Sequence, residues 1–87
     1  MSIASMCWAM NQNVKPAQKL LLIALAEWEN SDQDVHADDA TLAMFCQVPI
    51  ERIPKLLAAL EDKQLIHMRL SSTAQKTRII RLTGTSP

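Results

Sequence analysis

Residues 41–66 read TLAMFCQVPIERIPKLLAALEDKQLI, and the pattern within this stretch decides the fold. Asp38 and Asp39 precede it, and either carboxylate can accept hydrogen bonds from the free N–H groups at the start of a helix. We therefore expect a helix over residues 39–46 that ends in a turn at residues 47–49. Its inward-facing side chains are expected to be Leu42, Phe45 and Cys46.

A second helix follows, because leucines recur at helical spacing up to about residue 63. Pro54 lies near its start and cannot donate a hydrogen bond to the carbonyl of Ile50, a defect of about 3 kcal/mol inside a helix. A proline also steers the preceding residue, here Ile53, away from helical angles. We expect the regular helix to start at Pro54 after a separate turn over residues 50–53, and a kinked helix from Ile50 is the alternative.

The preceding half of the chain predicts a central helix over residues 17–29, since its middle is apolar on every side. Polar residues 30–34 form a loop, and Val35 and His36 could pair as a very short strand. The first dozen residues are apolar at mixed spacing. They form either a short helix or an extended arm.

A β-hairpin is expected at the other end. Residues 64–70 alternate apolar and polar positions, which indicates a half-buried strand, and the polar residues 71–76 form a turn. Residues 77–82 are rich in β-branched side chains and predict the returning strand, whereas residues 84–87 are expected to fray. The sequence thus predicts one mainly α domain over residues 1–87, with a three-helix core and a small β-hairpin.

The residues of this stretch resemble a known group. Residues 41–66 match the pattern T-L-A-x-x-C-x-V, four variable residues, a branched apolar residue and L-x-x-L-E-x-x-x-L-I of bacterial MarR-like winged-helix regulators. They are also similar to the amino-terminal domains of phage and plasmid replication initiators, and KPAQKL at residues 15–20 looks like the start of the group's first helix. The resemblance covers residues 14 to about 82. It implies a winged helix-turn-helix domain that binds DNA as a transcriptional regulator or replication accessory factor.

The sequence departs from the group's pattern around the start of the recognition helix. Pro49 replaces the usual capping serine, threonine or asparagine, Pro54 replaces a frequent basic residue, and Gln47 replaces the glycine of the turn. The amino-terminal part of this helix contacts base edges in helix-turn-helix proteins. We therefore expect weak base discrimination, with Arg52 and Lys55 suited to phosphates and Glu51 able to pair with Lys55.

Charge is distributed unevenly although the formal net charge is zero. Residues 1–48 carry two basic and six acidic side chains, a net of −4, and residues 49–87 carry seven basic and three acidic, a net of +4. No acidic residue follows Asp62, so the hairpin is expected to present a positive wing to a phosphate backbone. The alternative is a set of solvated strand residues that protect a sheet edge. The candidate DNA-binding residues are Thr41, Arg52, Lys55, Arg69, Lys76 and Arg78.

A small domain has difficulty burying an apolar arm alone, so a homodimer is expected. The candidate interface residues are Ile3, Met6, Trp8 and Met10. The competing interpretation is a protein-interaction module that keeps this scaffold but has lost DNA reading, and the two prolines and the neutral total charge favour it.

Other functions lack support in the sequence. Cys7 and Cys46 lie 39 positions apart without metal-ligand spacing, and both are expected to be reduced core residues. The longest apolar run, LLLIALA, is far shorter than a membrane span. We expect no cofactor, no metal site and no enzymatic activity. A cytoplasmic location is expected because the first residues lack a secretory signal pattern.

Overall fold

The computed structural model describes residues 3–29, 34–70 and 77–84. The predicted wing turn at residues 71–76 and the tail beyond Gly84 lie outside these ranges. The elements in chain order are helices α1 (Ile3–Met10) and α2 (Pro16–Glu27), strand β1 (Asp34–Ala37), helix α3 (Asp39–Cys46), a 3-10 turn (Ile50–Arg52), helix α4 (Ile53–Asp62), and strands β2 (Ile66–Leu70) and β3 (Arg78–Leu82).

Helix α2 lies at the centre of the core, as its apolar middle predicts. Leu21, Leu22 and Leu25 are fully buried there, together with Leu57 of α4. The first residues form a helix, α1, and not an extended arm. The Ser5 hydroxyl of α1 donates to Glu29 Oε1 at 2.7 Å, so a buried polar contact joins α1 to the segment that follows α2.

The sheet has three antiparallel strands in the order β1-β3-β2. The hairpin is confirmed, and the short strand expected at residues 35 and 36 extends one residue further on each side. Val35 pairs with Ile80, and both side chains are fully buried on the face that covers the helices. Because side chains alternate across a strand, Arg81 projects from the opposite face.

The proline-rich segment folds as a 3-10 turn followed at once by α4. The Arg52 N–H donates to the Pro49 carbonyl at 2.9 Å, and Pro54 lies in the first turn of α4, where its missing donor matters little. The expected separate turn is therefore present. The expectation that Ile53 avoids helical angles is wrong, since its φ is −61° and its ψ −47°. Its side chain is fully buried, and this packing holds the helical conformation that the following proline disfavours.

The outward side of α3 also differs from the prediction. Phe45 was expected to face inward, but it is 36% exposed and packs edge-on against Trp28 with ring centroids 5.3 Å apart. Ala43 is buried instead. Met44 is 78% exposed, so an apolar side chain faces solvent on the helix that precedes the turn.

Two glutamines adopt left-handed backbone angles at the ends of the helix-turn-helix pair. Gln47 follows α3 with φ 56°, and Gln64 follows α4 with φ 62°. Beyond Gln47, the Val48 N–H donates to the Ala43 carbonyl at 3.2 Å, which closes the helix end. This conformation usually takes glycine, because a Cβ atom raises its energy by roughly 1–2 kcal/mol.

Replacing Gln47 by glycine should therefore stabilise the protein. We expect Gln47→Gly to raise the free energy of unfolding by about 0.5–1 kcal/mol, the relieved strain less the extra freedom of glycine in the unfolded chain. Urea unfolding followed by far-UV circular dichroism measures the change. Lys63→Gly is the matched control. Lys63 ends α4 with φ −81°, so glycine relieves no strain there and should lower the free energy of unfolding. Equal destabilisation by both substitutions would contradict the strain at Gln47.

Candidate nucleic-acid interface

The helix-turn-helix pair consists of α3 and α4. The predicted aspartate cap, Asp38, defines the start of α3. Asp38 Oδ1 accepts the Thr41 backbone N–H at 2.8 Å. Hydrogen bonds from the Thr41 side chain and backbone lower the pKa of the Asp38 carboxyl. Thr41 is exposed in the first turn of α3, with its backbone N–H and its hydroxyl engaged by the Asp38 carboxylate.

Two exposed cations lie at the start of α4. Arg52 ends the 3-10 turn, and Lys55 lies in the first turn of the helix. Neither makes an ion pair with any residue within the described ranges, so the pair that Glu51 and Lys55 could form is not present there. These two side chains are therefore available for phosphate contacts.

An apolar stripe lies beside these cations. Ile50 is 49% exposed, and Pro54 and Ala58 are also exposed. The three follow one another at four-residue spacing along the turn and the helix, and all three are exposed whereas Ile53 and Leu57 are buried. We call Ile50, Pro54 and Ala58 the recognition stripe.

Arg78 of β3 is held by an acidic partner on α3. Its Nε donates to Asp39 Oδ1 at 2.7 Å and its Nη2 to Asp39 Oδ2 at 3.2 Å, a two-pronged pair with side chains only 22% and 24% exposed. This hydrogen bonding raises the pKa of Arg78 above its ordinary value. The Arg78 guanidinium therefore joins the sheet to the first turn of α3.

Two further arginines of the hairpin, Arg81 of β3 and Arg69 of β2, share a second acid, Asp34 of β1. Arg81 Nε donates to Asp34 Oδ1 at 3.0 Å, and Arg69 Nη2 lies 3.6 Å from Asp34 Oδ2. The Asp34 side chain is only 12% exposed, whereas those of Arg81 and Arg69 are 51% and 66% exposed. A shallow cavity of about 160 Å³ opens on this face, and His67 also lines it.

The expectation that no acidic residue lies near the basic side chains of the hairpin is therefore wrong. Pairing of β1 with β3 places Asp34 opposite Arg81 in register, and α3 brings Asp39 to Arg78. Arg78 lies on the face of β3 that covers the helices, while Arg81 and Arg69 lie on the outer face. Lys76 falls outside the described residues. Acidic residues of the first half of the chain and basic residues of the second half thus meet in these pairs.

The candidate interface residues of α1 divide into two groups. Ile3 and Met10 are 80% and 58% exposed, whereas Met6 and Trp8 are half-buried and pack against the core. Trp8 also lies directly against Gly84. Ile3 and Met10 are therefore available to a partner, whereas Trp8 packs mostly within the domain.

Cys7 was expected in the core but is exposed, between Ile3 and Met10 at a spacing of four and three residues. Cys46 is buried, as expected, and burial raises the pKa of its thiol. Sequence reasoning missed the outward position of Cys7. The spacing Ile3, Cys7, Met10, which follows one side of a helix, was the available signal.

The described part of the chain contains no group of three or more metal-ligating side chains. Among its helices, none is both long and apolar enough to cross a bilayer.

No protein-family profile and no curated protein sequence matches the chain. Its structure is similar to the crystal structure of ZitR from Lactococcus lactis, a zinc-responsive MarR family member, with a TM-score of 0.64 and 19% sequence identity. The likeness covers 84% of this chain and 46% of that chain, so this chain spans less than half the length of ZitR. The predicted winged-helix, MarR-like fold is confirmed, and the likeness says nothing about replication initiators.

Proposed function

We propose that this protein binds duplex DNA as a small transcriptional regulator or replication accessory factor. The observation that carries the proposal is the start of α4, where Arg52 and Lys55 are exposed on a winged-helix scaffold and without an ion pair among the described residues. In helix-turn-helix proteins this part of the recognition helix meets the major groove. Long cationic side chains there suit phosphate oxygens.

The wing makes a smaller contribution in this proposal than the sequence predicts. Arg78 is occupied by Asp39, and Asp34 offsets part of the charge of Arg81 and Arg69. Arg69 keeps 66% of its side-chain surface exposed. Among the described arginines of the hairpin, it is the best placed to reach a DNA phosphate. Lys76 and Thr41 stay in the proposed contact set.

A salt titration tests the proposal. Fluorescence anisotropy with a labelled random duplex should give an affinity that falls steeply with salt, with a slope of roughly −0.9 for each phosphate neutralised. Lys19→Glu is the control for net charge, because Lys19 lies on α2 and its Nζ donates to the Met10 carbonyl. No detectable duplex binding at low ionic strength would reject the proposal.

The predicted homodimer is part of the same proposal, with α1 as its contact. The exposed side of α1 presents Ile3, Cys7 and Met10 in one row, which a second copy could cover. Two-fold symmetric contacts place a central residue near its own copy. Cys7 is thus a natural reporter of the contact.

We expect mild oxidation to give a disulfide-linked dimer in Cys46→Ser, whose only thiol is Cys7, and not in Cys7→Ser. Met10→Glu should shift the sedimentation profile from dimer to monomer, because it places a charge in an apolar contact. Leu20→Glu, on α2, is the matched control, since Leu20 is also partly exposed at 39%. A monomer at high micromolar concentration, without a Cys7 crosslink, would refute the dimer.

A protein-interaction module is the second candidate function, and the exposure of Met44 favours it. Met44 is 78% exposed and Ile50 is 49% exposed, so both offer apolar side chains to a partner. This function requires a stable stoichiometric complex with another protein that survives charge reversal on the hairpin. Ile50→Asp should disrupt that complex, and a partner that tolerates Ile50→Asp would exclude this candidate.

A further inference from the structure

The recognition stripe carries no side chain able to exchange hydrogen bonds with a base edge. Ile50 and Ala58 are hydrocarbon side chains, and Pro54 also lacks a backbone N–H. Direct readout of guanine, adenine or cytosine uses donors and acceptors, typically from arginine, asparagine, glutamine or an acid. The stripe therefore cannot supply the usual contacts to these bases.

One base presents an apolar group in the major groove. The C5-methyl group of thymine projects there, and apolar side chains are its usual protein contact. Pro54 and Ala58 lie about 6 Å apart along the axis of α4, and Ile50 precedes them in the 3-10 turn, so three exposed apolar side chains follow one another along this surface. Thymine methyls are thus the chemical match to the stripe.

The charges around the stripe favour the same occupant. Arg52 and Lys55 alternate with the stripe residues along the chain and are exposed, so both can contact phosphates beside the groove. Glu51, also exposed there, lowers the net charge of this surface to +1, which weakens unspecific attraction and gives the apolar contacts more weight. A protein partner usually covers about 800 Å² and 20–30 residues a side, far more than this narrow stripe offers.

We infer that the recognition stripe of Ile50, Pro54 and Ala58 reads thymine methyl groups, so that the protein prefers A·T-rich duplexes. The inference rests on the proposed function, because it names the base chemistry that the same surface selects. Its discriminating feature is the C5-methyl group itself and not the A·T pair.

Four duplexes of equal length separate the methyl group from the base pair. One is A·T-rich, the second carries deoxyuridine at every thymine, the third is G·C-rich, and the fourth carries 5-methylcytosine at every cytosine. We expect deoxyuridine to weaken binding by about fourfold for each methyl group contacted, and 5-methylcytosine to strengthen binding to the G·C duplex. Anisotropy titrations at one fixed salt concentration measure both ratios.

Two variants assign the effect to the stripe. Ile50→Ser and Ala58→Ser alter exposed side chains, so both should fold, and both should bring the thymine-to-deoxyuridine ratio towards one. Leu20→Ser is the matched control on α2 and should leave the ratio unchanged. Equal, salt-dependent binding to all four duplexes would overturn the inference and leave the proposed function standing. A ratio that survives both stripe variants would overturn it too, whereas no binding to any duplex would reject the proposed function itself.

Discussion

The double charge reversal Arg52→Glu with Lys55→Glu is expected to lower the affinity for duplex DNA by about a hundredfold or more at moderate salt. Each lost phosphate contact should reduce the magnitude of the salt slope by about one, and the two new carboxylates add repulsion. The fold should persist, because both positions are exposed and acidic residues are favourable near the amino terminus of a helix. Anisotropy titrations over a range of salt measure both quantities.

A matched double variant separates a local contact from overall charge. Lys15→Glu with Lys19→Glu changes the net charge by the same amount, but at the start of α2. We expect it to reduce affinity only slightly and to keep the salt slope. If the two double variants lose affinity equally, then α4 makes no specific phosphate contacts and the placement of the interface is wrong.

The second large effect is expected on stability. Arg78→Ala should lower the free energy of unfolding by about 2 kcal/mol, because it removes two charge-assisted hydrogen bonds to a half-buried carboxylate. The loss should stay below that of a fully buried pair, since Asp39 also benefits from its position in the first turn of α3. Chemical denaturation of Arg78→Ala, Asp39→Ala and the double variant measures the coupling energy.

Arg81→Ala is the comparison within the same strand. Its ion pair with Asp34 leaves 51% of the arginine side chain exposed, so its loss should lower the free energy of unfolding by at most about 1 kcal/mol. DNA affinity should change less in Arg78→Ala than in the α4 double variant, once only folded protein is counted. A stable Arg78→Ala protein that no longer binds DNA would instead make Arg78 a direct contact.

Local chemistry explains which elements could be predicted from the sequence. Helix α3 occupies residues 39–46 as predicted, because an aspartate cap and a following break define both ends within ten residues. The strand predicted over residues 64–70 was recognisable for the same reason, since a period of two depends only on neighbouring positions, and β2 occupies Ile66–Leu70.

The features that depend on distant residues could not be predicted in this way. The pair of Arg78 with Asp39 spans 39 positions and that of Arg81 with Asp34 spans 47, so only the folded chain reveals that the wing is partly neutralised. The helical angles of Ile53 likewise depend on burial by other elements. For the candidate site, the sequence identified the cations of α4 but missed the recognition stripe, because Pro54 was considered only for its effect on the backbone.

The strand order has a consequence for folding during synthesis. Strand β3 lies between β1 and β2, yet it is the last of the three to leave the ribosome. Until it emerges, β1 and β2 have no neighbour to pair with, and the apolar faces of α2 and α4 lack part of their cover. The sheet can therefore form only after residue 82 has cleared the ribosomal exit tunnel, so all four helices are synthesised before any strand can pair.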